Sequence, residues 1–556
     1  MNRQQFTGRR AAAALLGALG LVAGLTGCND SSSSDSSSAR QDKITRIGAV
    51  PKGAEITGLT VTGDGTIFMN VQHPADSNRA PYYLASIGVF RDFTAADLTA
   101  DFGAAPVPSS EADKESVTLA RGEYEILAQN GQTFGGAVPF GMGTIVNTAG
   151  DTEIRTSNTP DFNSFIPTNQ AGTEGYLFTN WEARPGGMSR LKITRDSSGV
   201  WTVQDATMLD FSAVQGTWVN CNGSTTPWNT PLTAEELYFD NTSDWNNPAF
   251  DAYGHQSDLQ AFQDYLGGTF PNPYRIGFMT EITDPTGTPT PAKRFALGRM
   301  SHEIAAIMPD EKTVYLTSDG NGQAFFKFIA DSAGDLSAGT LYAAKVSQDA
   351  GVSDSGQAGF DVSWIKLAHA SDSDIAAWIA DYDGITEADY QAGQSSYISD
   401  QQVADWAAGN AADDRAAFLE AVKAAAAKGA SAEFSKMEGI GYNNTAIAAG
   451  TESRLYVAMS KIGGSMSDSA GDVQLDENPC GVVYGLTLDA DYNITRMEPA
   501  MVGGPYDANA AVNQCSTDAI SEPDNLYVTE DGILLAGEDT GYHENNMLWL
   551  YLPAEK

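Results

Sequence analysis

Residues 58–71 read GLTVTGDGTIFMNV and carry the clearest fold signal in the chain. Apolar residues alternate with polar ones on both sides of a Gly-Asp-Gly turn, which is typical of a β-hairpin. A strand, a polar turn and an aromatic strand recur at 304–317 (IAAIMPDEKTVYLT), 446–459 (AIAAGTESRLYVAM) and 526–536 (LYVTEDGILLA). Recurring hairpins of this kind are typical of propeller blades. Their number, in a chain of 556 residues, favours an all-β propeller over a pair of β-sandwiches.

Two segments interrupt the strand pattern. Residues 371–432 are rich in Ala, Asp and Gln, with apolar residues three to four apart. This pattern predicts a helical insertion between blades. Residues 240–273 are richer in Asn, Asp and aromatic residues and predict a second, loop-like insertion. We therefore expect one propeller domain over residues 44–556, with insertions.

The first 28 residues predict a targeting segment that is separate from the fold. Two arginines at 9–10 precede an apolar run at 11–25, which suits a secretory signal and is too short to span a membrane. A Leu-Thr-Gly-Cys sequence follows and resembles a bacterial lipobox, so Cys28 is the expected lipidation site. The arginine pair partly resembles a Tat signal.

Residues 29–43 are rich in serine and predict a disordered tether. We therefore expect a lipoprotein of the periplasm or cell envelope, exported by Tat or Sec. Its contact with the membrane is expected only through the N-terminal lipid. No feature of the sequence predicts an oligomeric state.

The chain is strongly acidic, with 71 Asp and Glu against 32 Lys and Arg and a formal net charge of −39. This balance argues against a nucleic-acid partner, which requires a basic face. A solvated acidic surface explains it, and so do acidic residues that hold cations. Bound cations become the largest charges in a site and can attract an anionic substrate.

The cysteines suggest two different roles. Cys480 and Cys515 lie in one region of an exported chain, so a disulfide between them is plausible. Cys221 is left over, in the stretch 218–236 (WVNCNGSTTPWNTPLTAEE) that ends in two glutamates. A thiolate suits a transition metal and carboxylates suit hard cations, so this stretch is a candidate metal site. The alternative is a buried small residue followed by a solvated acidic pair.

Further polar residues lie at the ends of predicted strands. Each alone is a weak signal, and a lone His302 is more often structural. In a propeller, however, the strands near the axis carry their ends toward one shared channel, where several carboxylates can bind a cation cluster. These candidates are Glu303 in Ser301-His302-Glu303, Asp319 with Asn321, Lys436 with Glu438, Asp524, and Glu538 with Asp539.

Several of these segments, in one order along nearly the whole predicted domain, resemble the PhoX family of bacterial alkaline phosphatases. The resemblance implies a six-bladed propeller that hydrolyses small phosphomonoesters at a mixed centre of Fe³⁺ and Ca²⁺. The matching segments are 71–74, 220–236, 298–303 with 314–317, 339–342, 438–439, 523–526 and 538–539.

By motif position, the resemblance implies that Cys221 is an iron ligand. The carboxylates implied or considered as iron or calcium ligands are Glu235, Glu236, Glu303, Asp319, Glu438, Asp524, Glu538 and Asp539. Lys436 occupies the place of a phosphate-binding arginine, and with Glu303 and Cys221 it is the expected catalytic set.

Three positions depart from the family pattern. Lys436 replaces an arginine and offers a point charge where a bidentate fork is usual. Ser318 stands where relatives often have Glu, so one calcium site is expected to be incomplete. Ala234 stands where many relatives have a second cysteine, which leaves Cys221 as the only thiol of this motif.

Two other functions remain open at this stage. One is a calcium-dependent propeller hydrolase of another ester, such as a lactonase, which would not need Cys221. The other is a non-enzymatic surface lipoprotein whose calcium only stiffens the propeller.

Overall fold

The computed structural model describes residues 42–99, 102–135, 138–236 and 242–554. The expected signal segment with Cys28, and the tether up to residue 41, lie outside the described residues. Lys43, which the serine-rich composition assigned to the tether, is instead the first residue of a strand. No helix among the described residues is long and apolar enough to cross a membrane.

The described residues are dominated by short strands. The first half of the chain forms β1 (Lys43–Ala49), β2 (Glu55–Val61), β3 (Thr66–Gln72), β4 (Ser86–Thr94), β5 (Thr118–Leu119), β6 (Glu123–Gln129), β7 (Thr144–Val146), β8 (Glu153–Thr156), β9 (Pro160–Pro167), β10 (Glu174–Trp181), β11 (Gly187–Arg195), β12 (Trp201–Met208), β13 (Asn220–Thr225), β14 (Pro231–Glu235), β15 (Met279–Thr283) and β16 (Thr290–Lys293).

The second half continues in the same way. Its strands are β17 (His302–Ile307), β18 (Thr313–Ser318), β19 (Asn321–Gln323), β20 (Phe326–Ser332), β21 (Asp335–Gln348), β22 (Phe360–Ser371), β23 (Phe434–Ser435), β24 (Met437–Gly441), β25 (Arg454–Met459), β26 (Val482–Leu488), β27 (Ile494–Val502), β28 (Pro523–Val528), β29 (Leu534–Glu538) and β30 (Met547–Leu552).

Helices are few and short in the described residues. They are α1 (Glu111–Lys114), α2 (His255–Tyr265), α3 (Asp372–Ala380), α4 (Asp400–Ala407), α5 (Arg415–Leu419), α6 (Ala421–Ala427) and α7 (Asn444–Ala449).

Most strands pair as antiparallel meanders of four. Three sheets are single meanders: β2-β3-β4-β6, β9 to β12, and β13 to β16. A nine-stranded sheet joins β17-β18-β20-β21-β22 to β27-β26-β25-β24, edge to edge. In the last sheet, β28-β29-β30 pairs with β1 and then β5, so the first described strand completes the sheet that the last strands begin.

The first strands of successive meanders form a ring. β2 contacts β9, β9 contacts β13, β13 contacts β17, β17 contacts β24, β24 contacts β28, and β28 returns to β2. Closing the sheets in this way protects their edges. The prediction of an all-β propeller with insertions is confirmed. The expected blade count of six stays a prediction.

The alanine-rich segment 371–432 contains the four helices α3 to α6. Ser371 caps α3 by accepting a hydrogen bond from the backbone N–H of Asp374. Apolar side chains of these helices, such as Ile375, Trp406 and Phe418, are buried in one cluster with Leu341 of β21. The insertion therefore packs onto a blade and shares its core.

The hairpin predicted at 446–459 is wrong in its first half. Residues 444–449 form the helix α7, and the strand before β25 is β24, at 437–441. The Asn443 side chain accepts a hydrogen bond from the N–H of Ala446, and Gly450 ends the helix with a φ of 68°. This pair of caps makes a short helix from an apolar run that was too short to separate from a strand by pattern.

Cys480 and Cys515 form a disulfide with a Cα–Cα distance of 5.9 Å. It joins the residue two before β26 to the loop that leads into β28. Cys221 is the free and buried cysteine of the described residues.

Candidate metal centre

Polar side chains, most of them ionisable, occupy two equivalent places in the meanders. The start of the innermost strand holds Glu55, Asp161, Cys221, Glu303, Glu438 and Asp524, on β2, β9, β13, β17, β24 and β28. The residue directly after the second strand is His73, Glu182, Glu236, Asp319, Ser460 or Asp539. Antiparallel pairing places the start of one strand beside the end of the next. Each meander therefore presents two side chains at the same end of the ring.

The ring brings these side chains into five groups, within which the potential ligand atoms all lie within 4.8 Å of one another. Several residues belong to two groups, so most of the groups are linked. They are Asp161 with Cys221 and Glu303; Glu182 with Cys221 and Glu236; Glu236 with Asp319 and Glu438; Glu303 with Glu438 and Asp524; and Glu55 with His73 and Asp539.

Cys221 lies inside this acidic cluster. Its Sγ is 3.1 Å from Oδ2 of Asp161 and 3.0 Å from Oε2 of Glu303. Burial raises the pKa of the thiol well above its usual value, and the charges of Glu236 and Glu303 raise it further. A thiolate would form here only beside a bound cation, because the surrounding carboxylates oppose a further negative charge.

Burial likewise raises the pKa of most carboxyl groups in the cluster, and repulsion between neighbouring carboxylates adds to the effect. The pKa is raised to about 6 for Asp161, about 8 for Glu182 and about 7 for Glu438. It is also raised for Glu55, Glu236, Glu303, Asp524 and Asp539. The cluster is therefore under electrostatic stress that bound cations would relieve.

Lys436 supplies a positive charge at the cluster. Its Nζ is 2.6 Å from Oδ2 of Asp319 and 3.0 Å from Oε1 of Glu438. The residue precedes β24 with a φ of 53°, and its backbone N–H donates to the carbonyl oxygen of Gly320. Burial works against the charged amine, but Glu438 and Asp319 outweigh it and raise the pKa of Lys436. The amine therefore stays charged.

The cluster opens into a cavity of about 460 Å³. Besides members of the cluster, its lining includes Lys436 and two arginines, Arg155 and Arg184. A larger cavity of about 810 Å³ is lined by residues further along the innermost strands, such as Phe162 and Tyr442. No member of the five groups lines that larger cavity, so the smaller one is the candidate active site.

The structure does not bring Glu235 into the cluster. Its carboxylate accepts hydrogen bonds from the backbone N–H groups of Trp218 and Phe278. It also forms an ion pair of 2.9 Å with the buried Lys293. Side chains alternate along a strand, so Glu235 at the end of β14 and Glu236 just after it point to opposite sides. Glu235, which the sequence suggested as a metal ligand, therefore lies outside the five groups.

Glu538 is placed in the same way at the end of β29. It accepts hydrogen bonds from the backbone N–H of Ser521 and Met547 and from the indole N–H of Trp549. Its Oε2 is 2.9 Å from Nδ1 of His543. Asp539, the next residue, joins the group with Glu55 and His73. The ligand choice left open between Glu538 and Asp539 therefore goes to Asp539.

Ser318 occupies the same place at the end of β18. It donates a hydrogen bond to Oε1 of Gln323, while the following Asp319 faces the cluster. Since Glu235 and Glu538 are structural at this place, a serine here removes no ligand. Ser318 therefore gives no reason to expect an incomplete calcium site.

His302 lies in the core beside the cluster. Its Nε2 is 2.8 Å from the carbonyl oxygen of Gly298, and burial lowers its pKa to about 4. The neutral ring on β17 directly precedes Glu303, and strand alternation points the two side chains apart. His302 therefore has the geometry of a structural histidine.

Sequence reasoning missed Glu55, Asp161 and Glu182. Asp161 and Glu182 come from a meander in which no hairpin was recognised, and Glu55 lies just outside the quoted hairpin at 58–71. The signal that could have found them is positional. Once the strand register is known, the start of the first strand and the residue after the second strand are the places to search.

The chemistry of this donor set fits bound cations. Nine carboxylates surround one thiol and one imidazole, and hard cations require six to eight oxygen ligands. Oε1 of Glu303 and Oδ1 of Asp319, which belong to the five groups, are among the buried side-chain atoms without a hydrogen-bond partner in the described residues. Buried polar atoms are normally satisfied, and a cation held by the cluster would give these two oxygens a partner. Fold and site together define a propeller protein with a centre able to hold metal ions.

A family model described as "Alkaline phosphatase PhoX" matches residues 186–551. The chain belongs to the PhoX family of alkaline phosphatases and is a phosphoric monoester hydrolase. The resemblance seen in the sequence is confirmed. None of the curated protein sequences matches the chain.

Among solved structures, the chain is similar to Pseudomonas fluorescens PhoX in complex with vanadate, a transition state analogue. The TM-score is 0.54 at 16% identity, with 91% of this chain and 87% of that chain covered. A putative oxidoreductase (glucose dehydrogenase) of Thermus thermophilus also aligns, with a TM-score of 0.34 at 10% identity over 92% of this chain and 100% of that chain. The first similarity supports the fold.

Proposed function

We propose that this protein hydrolyses phosphomonoesters at a mixed centre of iron and calcium on the propeller axis. One observation carries the proposal: the thiol of Cys221 lies within hydrogen-bonding distance of two carboxylates, inside a cluster of nine. A structural calcium site needs oxygen ligands alone, whereas a thiolate among carboxylates suits a transition metal beside hard cations.

The side chains of the cluster would form two sets of ligands, one for iron and one for calcium. Cys221, with Asp161, Glu182, Glu236 and Glu303, would hold iron. The remaining carboxylates of the cluster would hold calcium. Cations bound here would supply Lewis-acid stabilisation of the charge that develops on the phosphoryl oxygens. His73, beside Glu55 and Asp539, completes the fifth group.

Lys436 would hold a phosphoryl oxygen. Its amine lies between Asp319 and Glu438 and lines the cavity, so a phosphate that enters can contact the ammonium directly. An ammonium fixed where negative charge develops stabilises the transition state without reorganisation. Glu303 would act as a metal ligand through Oε1, which has no hydrogen-bond partner in the structure.

Bound cations also reconcile the acidic chain with an anionic substrate. A net charge of −39 would repel a phosphate ester, and the cluster concentrates part of that charge in one cavity. With cations bound, the centre attracts the phosphoryl group instead. The N-terminal segment supports a place for this activity in the periplasm or cell envelope, anchored by a lipid on Cys28.

The test is hydrolysis of 4-nitrophenyl phosphate by the protein from residue 42 onward, with elemental analysis of iron and calcium in the same sample. We expect activity with both metals bound, and loss of activity when a chelator removes them. Cys221→Ala should lose iron and lower kcat at least about 10²-fold.

The matched control for that variant is Ala234→Ser, a buried site on the neighbouring strand β14 that belongs to none of the five groups. It should retain iron and activity. A folded wild-type protein that holds calcium but no iron, and does not hydrolyse the ester, would contradict the proposal.

A further inference from the structure

Two arginines share one carboxylate at the wall of the cavity. Nη2 of Arg155 is 2.7 Å from Oδ1 of Asp258, and Nε of Arg184 is 3.7 Å from Oδ2 of the same residue. Both arginines line the 460 Å³ cavity, together with the metal-centre residues. About a third of each arginine side chain remains exposed, 33% and 34%, while that of Asp258 is 11% exposed.

Three separate segments hold this arginine pair in place. Arg155 is in β8, Arg184 follows β10, and Asp258 is in the insertion helix α2. The guanidinium group of Arg184 also lies 5.7 Å from the ring centroid of Trp218, as a cation–π contact. Arg155 donates a further hydrogen bond, at 3.3 Å, to the carbonyl oxygen of Ser257. The two guanidinium groups are therefore positioned before any ligand arrives.

The pair carries more charge than its partner neutralises. Two guanidinium groups share the one carboxylate of Asp258, and the charge of Arg184 also acts on Glu182 of the metal centre. Each guanidinium has five N–H donors, and the partners among the described residues use only part of them. Donors on both groups remain for a ligand that enters the cavity.

We propose that Arg155 and Arg184 form a second anion subsite, which binds an acidic group on the leaving group of the phosphomonoester. The proposal rests on the proposed function, in which the metal centre and Lys436 take the phosphoryl group. Planar guanidinium forks match carboxylate and phosphate oxygens in geometry. The favoured substrates are therefore phosphomonoesters with a second carboxylate or phosphate group.

The competing explanation is that the arginines only fasten α2 to the propeller. The two explanations differ in what they predict for two substrates of nearly equal shape. A fastening role affects the hydrolysis of both equally, because it changes the whole site. A subsite affects only the substrate whose leaving group carries the second charge.

The experiment compares phenyl phosphate with 4-carboxyphenyl phosphate on the metal-loaded protein. We expect Arg155→Met and Arg184→Met each to lower kcat/KM for the carboxylated substrate about tenfold more than for phenyl phosphate. The extra loss should lie mainly in KM. Arg190→Met is the matched control, because Arg190 lies over Tyr176 at 4.6 Å and does not line the cavity. It should leave the ratio of the two substrates unchanged.

Asp258→Asn provides a second test that keeps both arginines. Removing the carboxylate frees the guanidinium groups, so the preference for the carboxylated substrate should rise severalfold. An equal loss for both substrates in all three variants would overturn the subsite and leave the phosphatase intact. A metal-loaded wild-type protein that hydrolyses neither substrate would overturn the proposed function, and the subsite with it.

Discussion

At the scale of single residues, neighbouring acidic positions have opposite roles. Glu235 accepts two backbone N–H groups and pairs with Lys293, whereas Glu236 joins two of the five ligand groups. The sequence presents them as one Glu-Glu pair. The motif at 218–236 could predict that this pair matters, but only the register of β14 decides which side chain faces the axis.

Substitution should separate these two roles. Glu235→Gln leaves the ammonium of Lys293 buried without its counter-ion, and we expect it to lower the free energy of unfolding by about 3 kcal/mol. Its iron and calcium content should stay unchanged. Glu236→Gln should lose bound metal and activity instead, and should stabilise the metal-free protein because a repelled carboxylate is removed. Urea denaturation and elemental analysis measure both effects. Equal metal loss in the two variants would contradict the assignment.

The raised pKa values of the cluster predict how pH affects the metal-free protein. Folding raises the pKa to about 6 for Asp161, about 7 for Glu438 and about 8 for Glu182. The folded chain therefore binds more protons than the unfolded chain between the unfolded and folded pKa values. Under this linkage, stability is greatest at low pH in this range and falls as pH rises.

We therefore expect the melting temperature of chelator-treated protein to fall from about pH 5 to about pH 8. Calcium and iron should remove most of this decrease, because bound cations stabilise the ionised carboxylates. Melting curves at several pH values, with and without metals, measure the effect. A melting temperature that rises over this pH range without metals would contradict the repulsion between buried carboxylates that is described for the cluster.

At the scale of elements, the hairpins with a polar turn were the predictable part of the fold. The stretches at 58–71, 304–317 and 526–536 each correspond to the first two strands of a meander. The prediction for 446–459 was wrong in its first half, because caps at Asn443 and Gly450 stabilise the apolar run as the helix α7. The local pattern of apolar residues predicts strands well, but it does not distinguish a strand from a short capped helix.

The candidate site was predicted in part for the same reason. Cys221, Glu236, Glu303, Glu438 and Asp524 lie in segments with a recognisable motif, and all five join the ligand groups. Asp161 and Glu182 lie in a meander without such a motif. Their role depends on β9 and β10 taking the same register as the other innermost pairs, which is a property of the assembled ring.

Removing the disulfide shows whether the loop before β28 affects the metal centre. Cys480 and Cys515 are 35 residues apart, and for a loop of this length chain entropy predicts a stabilisation of about 4 kcal/mol. We expect the double variant Cys480→Ser, Cys515→Ser to lose a similar amount in chemical denaturation. Its metal content should not change, since neither cysteine belongs to a ligand group. Loss of iron in this variant would show that the loop before β28 positions Asp524.

At the scale of the whole molecule, one short strand joins the two ends of the described chain. β1 pairs with β30 from Lys43 opposite Leu552 to Ala49 opposite Met547. β30 carries Trp549 and Tyr551, both buried. Without β1, the edge of β30 would be unpaired, and exposed apolar edges promote aggregation.

Truncation should make this dependence visible. A chain that begins at Asp42 retains β1 and should be monodisperse in size-exclusion chromatography with an unchanged melting temperature. A chain that begins at Pro51 lacks β1, and we expect it to aggregate or to melt at a much lower temperature. Equal behaviour of the two chains would show that β28-β29-β30 is stable as a three-stranded unit.

The equivalent placement of ligands in successive meanders makes metal uptake a report on folding. The potential ligands extend from Glu55 to Asp539, so every meander of the ring contributes to the same end of the molecule. No single meander holds the complete set. The full complement of ions can therefore be bound only by a chain whose last sheet has closed against its first, so a chain that has not finished folding cannot hold the complete set.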